Sequence, residues 1–199
     1  MRAYRAKNIA RPGPGWANDN APLRTRGWRD MIGTITLPGT DIGDPVRENI
    51  GASGYKAYKF DIGKNYQIDY HLQHDFVLTS DVYLHVHWLT DGVDTHAVNW
   101  QFTYNYARGF GQQAFSLAEP VVTIAEAPSG IAFTHMTSEI TVPISDPSFE
   151  PDGIMMVVLQ RISNGGVDNA DKVFVLTADA HYQTMMPATK NRQPNFFFP

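Results

Sequence analysis

Along the middle of the chain, apolar and polar residues alternate one by one, and the alternation predicts strands rather than helices. Between His96 and Tyr106, the residues Val98, Trp100, Phe102, Tyr104 and Tyr106 share one parity, and Ala97, Asn99, Gln101, Thr103 and Asn105 share the other. Successive side chains of a strand point to opposite faces, so this run has one core face and one wet face. Val82, Leu84, Val86 and Trp88 repeat the pattern against Asp81, Tyr83, His85 and His87, as strands of an antiparallel sheet with one buried side do. No long apolar run of period 3.6 interrupts the series, so helices should be scarce. The predicted strands are Gly33 to Leu37, Tyr55 to Asp61, Tyr66 to Leu72, Val82 to Leu89, Ala97 to Tyr106, Pro120 to Glu126, Ser138 to Ile144, Ile154 to Ile162 and Val173 to Gln183.

Turn chemistry stands between most of them. Pro38-Gly39, Gly51 to Gly54, Asp91-Gly92, Pro128-Ser129-Gly130, Pro151-Asp152-Gly153 and Asn164-Gly165-Gly166 supply fixed φ or tolerate positive φ where the chain reverses. Asp91-Gly92 and Asn164-Gly165 suit the primed turns of hairpins. About nine such strands predict an all-β fold, a two-sheet antiparallel sandwich that is jelly-roll-like rather than immunoglobulin-like. No repeat of fixed period points to a propeller or solenoid.

The two ends break the pattern. Residues 1–27 contain Arg11-Pro12-Gly13-Pro14-Gly15 and Asn18-Asp19-Asn20, which disfavour both helix and ladder, so we read an extended N-terminal arm. The sandwich domain is then 28–186, and 187–199 is an extended C-terminal arm. That second arm carries Phe196-Phe197-Phe198 beside prolines; consecutive rings cannot alternate across a sheet, and each left in water forfeits roughly 1.5–3 kcal/mol of burial. Positive charge collects at the other end, where residues 1–29 hold Arg2, Arg5, Lys7, Arg11, Arg24, Arg26 and Arg29 against the single acid Asp19. From these features we expect both arms to dock on neighbouring subunits, with Arg5, Trp16, Arg24, Arg26, Phe196, Phe197 and Phe198 as the partner-binding residues.

Composition narrows the function classes. A length of 199 residues allows one substantial core,. A net charge of −4 lacks the concentrated basic surface that phosphate binding needs, so no direct nucleic-acid partner is expected. Zero cysteines remove disulfides, thiolate nucleophiles and thiolate metal sites. The longest apolar run, Ile154 to Leu159, falls far short of the roughly 20 residues of a membrane-spanning helix, so no membrane partner is expected either. Basic Met1 to Arg5 is not followed by an apolar stretch, and no secretion signal is read there.

For chemistry, the residues that stand out are His85 and His87, which point the same way from one strand and could share a metal. Asp179 and His181 are likewise two apart on a later predicted strand. The set resembles the metal site of cupins, also jelly rolls, in which a His-x-His pair is followed closely by an acid and joined by a later histidine; Asp91 stands four residues after His87. The glycine of that pattern upstream of the pair is absent, and Met156 stands where its second motif has histidine. The competing reading makes Tyr83, His85 and His87 a hydrogen-bonded outer stripe that needs no cofactor. That reading is adopted: no catalytic residues, no cofactor and no metal are expected, and His85, His87 and His181 are the residues a metal would use. There is no Gly-x-Ser-x-Gly elbow and no glycine-rich phosphate loop. Trp88, Trp100, Tyr104 and Tyr106 could line a sugar-binding groove, but Trp100 has core parity.

Taken in order, Val82-Tyr83-Leu84-His85-Val86-His87-Trp88, Val98-Asn99-Trp100-Gln101-Phe102-Thr103-Tyr104 and Ala178-Asp179-Ala180-His181-Tyr182-Gln183 resemble a family of tailed-bacteriophage virion proteins. Its members carry a His-x-His-Trp strand, then a Val-x-Trp strand, then a closing His-Tyr-Gln strand. The match runs from about residue 55 to 186. It implies a non-enzymatic structural protein of the virion, most readily a capsid decoration or cement subunit and alternatively a tail, fibre or head-to-tail connector component. Its partners would be other virion proteins, such as the major capsid protein, and further copies of itself, a trimer being the preferred homo-oligomer. Such a protein is made in the bacterial cytoplasm and ends in the virion.

Overall fold

A computed structural model describes residues 26–39, 43–116 and 118–184. Among them there are eleven strands and no helix: β1 (Gly27–Ile32), β2 (Thr34–Thr36), β3 (Val46–Asn49), β4 (Lys56–Lys59), β5 (Asn65–His71), β6 (Tyr83–Thr90), β7 (Val98–Ala107), β8 (Val121–Glu126), β9 (Met136–Glu139), β10 (Ile154–Ile162) and β11 (Val173–Thr184). They form two sheets, β3-β4-β11-β6-β9 with β1 also on β11, and β2-β5-β10-β7-β8. Every ladder is antiparallel.

The connectivity is that of a jelly roll. β7 pairs with β8, β6 with β9, β5 with β10 and β4 with β11, so the chain is one long antiparallel ribbon. Its successive rungs fall alternately in the second sheet and the first, which wraps the ribbon into a sandwich. This wrapping corrects the hairpin expectation. β6 and β7 lie in different sheets, as do β10 and β11, so Asp91-Gly92 and Asn164-Gly165 sit in arches between sheets. The two arches are pinned together: Asp94 accepts from the Ala170 N–H at 2.7 Å, Asp171 accepts from the Asp94 N–H at 2.9 Å, and Asn169 Nδ2 donates to the carbonyls of Asp94 and His96.

Apolar residues of one parity from both sheets close the core. Trp88, Trp100, Tyr66, Tyr70, Phe60 and Phe102 are fully buried, and Trp100 takes Trp88 and Phe60 edge-on at 6.0 and 5.8 Å. Burial of this kind is the main favourable term in folding. β1 and β2 cross from one sheet to the other at Gly33, where a Cβ would run into Ile68 and Tyr70.

Two strands escape the sequence pattern. In β1 (Gly-Trp-Arg-Asp-Met-Ile) Met31 is the one large apolar side chain buried in the core, and β3 (Val-Arg-Glu-Asn) is an edge strand with no buried residue. Charge on an edge is how sheets resist further pairing, and it removes the alternation that identifies a strand. The strand expected over Ser138 to Ile144 is Met136–Glu139 instead. Pro143 lacks an N–H for the ladder, and only an isolated bridge joins Ile144 to Val82.

Candidate functional site: a histidine and carboxylate cluster on the first sheet

Parity sends Leu84, Val86 and Trp88 of β6 into the core and turns Tyr83, His85 and His87 outward. On β11, parity alone would not bring Asp179 and His181 to the same side, because Val173 and Val175 face the core. A register shift between Val175 and Thr177 inserts one extra residue, Leu176. After this bulge Ala178, Ala180 and Tyr182 face the core, and Thr177, Asp179 and His181 face out,. The ladders then set Asp179 opposite His85, Thr177 opposite His87, His85 opposite Glu139, and Asp30 opposite His181.

The result is a compact cluster on the outer face of the first sheet. His85 is only 2% exposed and Asp179 7%, so this face is not wet. Trp28 of β1 meets Tyr83 edge-on at 5.6 Å at one end. At the other end Ala57, Leu89 and Phe174 form a small apolar cluster with Ile50, and Gly51, at φ +56°, lies against the Phe133 ring. His135, just before β9, brings its Nε2 to 2.8 Å from His87 Nδ1, and Thr137 Oγ1 is 3.2 Å from the same nitrogen.

Two arrangements divide the cluster. In the first, His181 is gripped by two carboxylates: its Nε2 donates to Asp30 at 2.8 Å and its Nδ1 donates to Glu139. Burial alone would lower the His181 pKa, but its hydrogen bonds to Asp30 and Glu139 outweigh it and hold it at about 9,. Asp30 is correspondingly lowered, chiefly by that hydrogen bond. The second arrangement is looser. Asp179 Oδ1 accepts from Thr177 Oγ1 at 3.0 Å, while Asp179 Oδ2 is 3.4 Å from His87 Nε2 and 3.7 Å from His85 Nε2. His85 stacks on His181 at 4.2 Å, and its buried Nδ1 has no hydrogen-bond partner. Burial, with His181 and His87 adding to it, pulls the His85 pKa down to about 4. Burial next to His87 also lowers His135.

Of the sequence-predicted residues, His85, His87 and His181 are brought together here. Asp91, the acid in the cupin-like spacing, is not: its carboxylate accepts from the Lys172 N–H at 2.9 Å, and Asp179 stands nearest the histidine pair instead. His135, Glu139 and Asp30 were not anticipated, since each is far from the pair in sequence and joins it only through strand pairing. The four aromatics considered for a sugar groove do not form one. Trp88, Trp100 and Tyr106 are buried and Tyr104 packs against the same core. Arg26 is exposed and donates to Gln183 Oε1 at 3.4 Å. Arg5, Trp16, Arg24, Phe196, Phe197 and Phe198 lie outside the described residues.

No protein-family model and no curated protein sequence matches this chain. Among solved structures it is similar to a carbohydrate-binding module, CBM28, specific for non-crystalline cellulose, at 17% identity over 67% of this chain and 78% of that one, with a TM-score of 0.35. It is also similar to the xylan-binding module CBM15, at 13% identity over 78% and 90% of the two chains and a TM-score of 0.35. The family 11 carbohydrate-binding module from Clostridium thermocellum, solved with a mixed-linked tetrasaccharide, shows 10% identity over 87% and 95% and a TM-score of 0.30. The fold assignment stands on this chain's own ladders.

Proposed function

We propose that this chain is a non-enzymatic structural subunit of a tailed-bacteriophage virion, a decoration or cement subunit of the head. It associates as a homo-oligomer, preferentially a trimer, and holds neighbouring virion proteins through its two arms. What supports the reading is where the motif residues of the resemblance sit. The His-x-His-Trp and His-Tyr-Gln segments, almost a hundred residues apart in sequence, are adjacent strands with Asp179 opposite His85 and His181 opposite Tyr83. The Val-x-Trp strand meets them through the core, Trp100 against Trp88. The three motif segments thus lie on neighbouring strands around one core.

The placement of the ends adds to it. Gly27 pairs with Thr184, so the described chain enters and leaves the sandwich at adjacent positions on the first sheet. An arm adds contact with a neighbour without enlarging the core, which suits the repeated interfaces of a symmetric assembly. The test is incorporation. Full-length protein should be retained by particles that lack it, while a chain without residues 1–25 should keep its cooperative unfolding transition and be lost from them. Native mass spectrometry of the full chain should give a trimer. A monomer that particles never retain would overturn the assignment, and normal uptake of the shortened chain would overturn the role of the N-terminal arm. Copy number per particle then separates a head decoration from a tail, fibre or connector component, high for the first and low for the others.

A further inference from the structure

We propose that His85, His87 and Asp179 form a three-ligand site for a first-row transition-metal dication of the zinc type, on the outer face of the first sheet. The ligand atoms of these three residues lie within 4.8 Å of one another. The distances inside the set decide between a hydrogen-bonded stripe and a metal site. Asp179 Oδ2 is 3.4 Å from His87 Nε2 and 3.7 Å from His85 Nε2, too long for good N–H···O hydrogen bonds, which peak near 2.9–3.0 Å. Two ligands held at about 2.0–2.1 Å by one tetrahedral zinc ion lie about 3.3 Å apart. Each imidazole nitrogen is therefore spaced from the carboxylate oxygen much like one edge of a coordination polyhedron, and all three ligand atoms lie within 4.8 Å of one another. The neighbouring His181 contacts show what the same cluster does when it makes hydrogen bonds, with His181 Nε2 at 2.8 Å from Asp30.

Three further observations point the same way. His85 is 2% exposed and its Nδ1 has no hydrogen-bond partner, so its polarity is not there to serve a hydrogen-bond network. The non-facing polar atoms of Asp179 and His87 are held from behind. Thr177 Oγ1 donates to Asp179 Oδ1 at 3.0 Å, and His87 Nδ1 meets His135 Nε2 at 2.8 Å and Thr137 Oγ1 at 3.2 Å. Metal-binding histidines and carboxylates are typically oriented by such outer partners. Finally, the outward positions of β1, β11, β6 and β9 around the site carry Asp30, Asp179 and Glu139 against one imidazolium, His181, and no lysine or arginine, so the surrounding charge is net negative. Two imidazoles with one carboxylate select zinc and its neighbours over calcium or magnesium, which prefer all-oxygen shells. Three protein ligands leave a fourth position for water or for a group from another molecule. The site stands apart from the virion reading and is independent of it.

The experiment uses the full-length chain. After chelation and dialysis it is titrated with zinc chloride by calorimetry, and cobalt(II) chloride serves as an optical probe. We expect one zinc per chain, a rise in melting temperature on adding zinc, and visible cobalt d–d bands from nitrogen and oxygen ligation at an ordered site. His87→Ala and Asp179→Asn should weaken zinc binding at least tenfold, whereas His96→Ala, outside the cluster, should leave it unchanged. Far-UV circular dichroism reports whether each variant is folded. If Asp179→Asn does not fold, the cobalt spectrum of the wild-type chain and its loss in His87→Ala carry the test. Absence of zinc binding and of cobalt bands in the wild-type chain would overturn the proposal, as would zinc binding of equal strength in folded His87→Ala.

Discussion

The outer faces of the two sheets obey the same alternation and end in opposite states. On the second sheet, the outward residues Gln67 and Asp69 of β5 and Met156 of β10 are exposed, and Asn99, Gln101 and Thr103 of β7 are half-buried. On the first sheet, the outward residues His85 and Asp179 are as buried as core residues. The difference lies in what packs on each face. On the first sheet the outward side chains pack on one another, Trp28 on Tyr83, His85 on His181 and His135 on His87; on the second, burial is confined to Asn105 among the outward polar residues of β7, held by the backbone of Ser116. The lesson concerns cost. Polar groups in water need no partner, but polar groups taken out of water need one or destabilise the fold by about 1–3 kcal/mol each. Seven polar side chains, Asp30, His85, His87, His135, Glu139, Asp179 and His181, meet on the covered face. Most of the group is matched internally, and the long contacts from His85 and His87 to Asp179 Oδ2, with the unpartnered His85 Nδ1, are the part that is not.

The comparison breaks most completely if a carboxylate is moved from the covered face to the core face. The double exchange Asp179→Ala with Ala180→Asp takes it from the outer face to the fully buried position of Ala180. A buried carboxylate without a partner costs several kcal/mol, against a typical stability of about 5–15 kcal/mol for a whole domain. We expect the exchange to abolish the cooperative unfolding transition seen by circular dichroism. A smaller effect separates the two outer faces directly. Glu139→Gln on the first sheet leaves the His181 imidazolium, with a side chain only 16% exposed, paired to Asp30 alone, and should cost about 1–3 kcal/mol in urea denaturation. Gln101→Ala at an outward position of the second sheet should stay within about 0.5 kcal/mol. Equal costs would mean that the covered face is no more demanding than the open one.

Most of the fold could be read from the sequence because it is written in parity. β5, β6, β7, β10 and β11 have strong alternation, and the expected spans for them overlap the observed ones along nearly their whole length. β1 and β3 were invisible because their energetics are those of pairing at a sheet edge, with Trp28, Arg29, Asp30, Arg47 and Glu48 where a core strand would carry apolar residues. The wrapping of the ribbon was not legible at all, because Asp91-Gly92 has the same turn chemistry in an arch between sheets as in a hairpin. The candidate site was half legible. His85 and His87 follow from spacing within one strand, but their parity predicted a wet stripe, and only the packing among outward side chains of the first sheet makes it dry. Asp179 and His181 came into view as a pair two apart, yet unbroken parity from Val173 would have sent them into the core. The extra residue at Leu176 leaves no mark in a sequence that reads Val-Phe-Val-Leu-Thr-Ala-Asp-Ala-His.

A last prediction sharpens the comparison from the inside. Tyr70 of β5 faces the core between the sheets, fully buried, and its hydroxyl has no hydrogen-bond partner; burial pushes its pKa well above the ordinary tyrosine value. Both Tyr70 Oη and His85 Nδ1 are therefore polar atoms out of water without a partner, one on the dry face of a sheet and one on the covered face. The shift at Tyr70 comes first from burial, with Tyr66 and the charge of Asp179 adding to it, so its polarity brings a desolvation cost. Tyr70→Phe keeps the ring and removes the oxygen, and should raise stability by about 1 kcal/mol, the cost of leaving such a group unpaired less the packing lost with one atom. The urea midpoint would move up with an unchanged slope. A loss of more than about 1 kcal/mol would show that the hydroxyl has a partner in solution, and the two orphan atoms would then no longer be comparable. A gain would leave His85 as the buried orphan that sits beside ligating groups, which is the difference expected between a polar atom that is a residual cost of the core and one that belongs to a binding site.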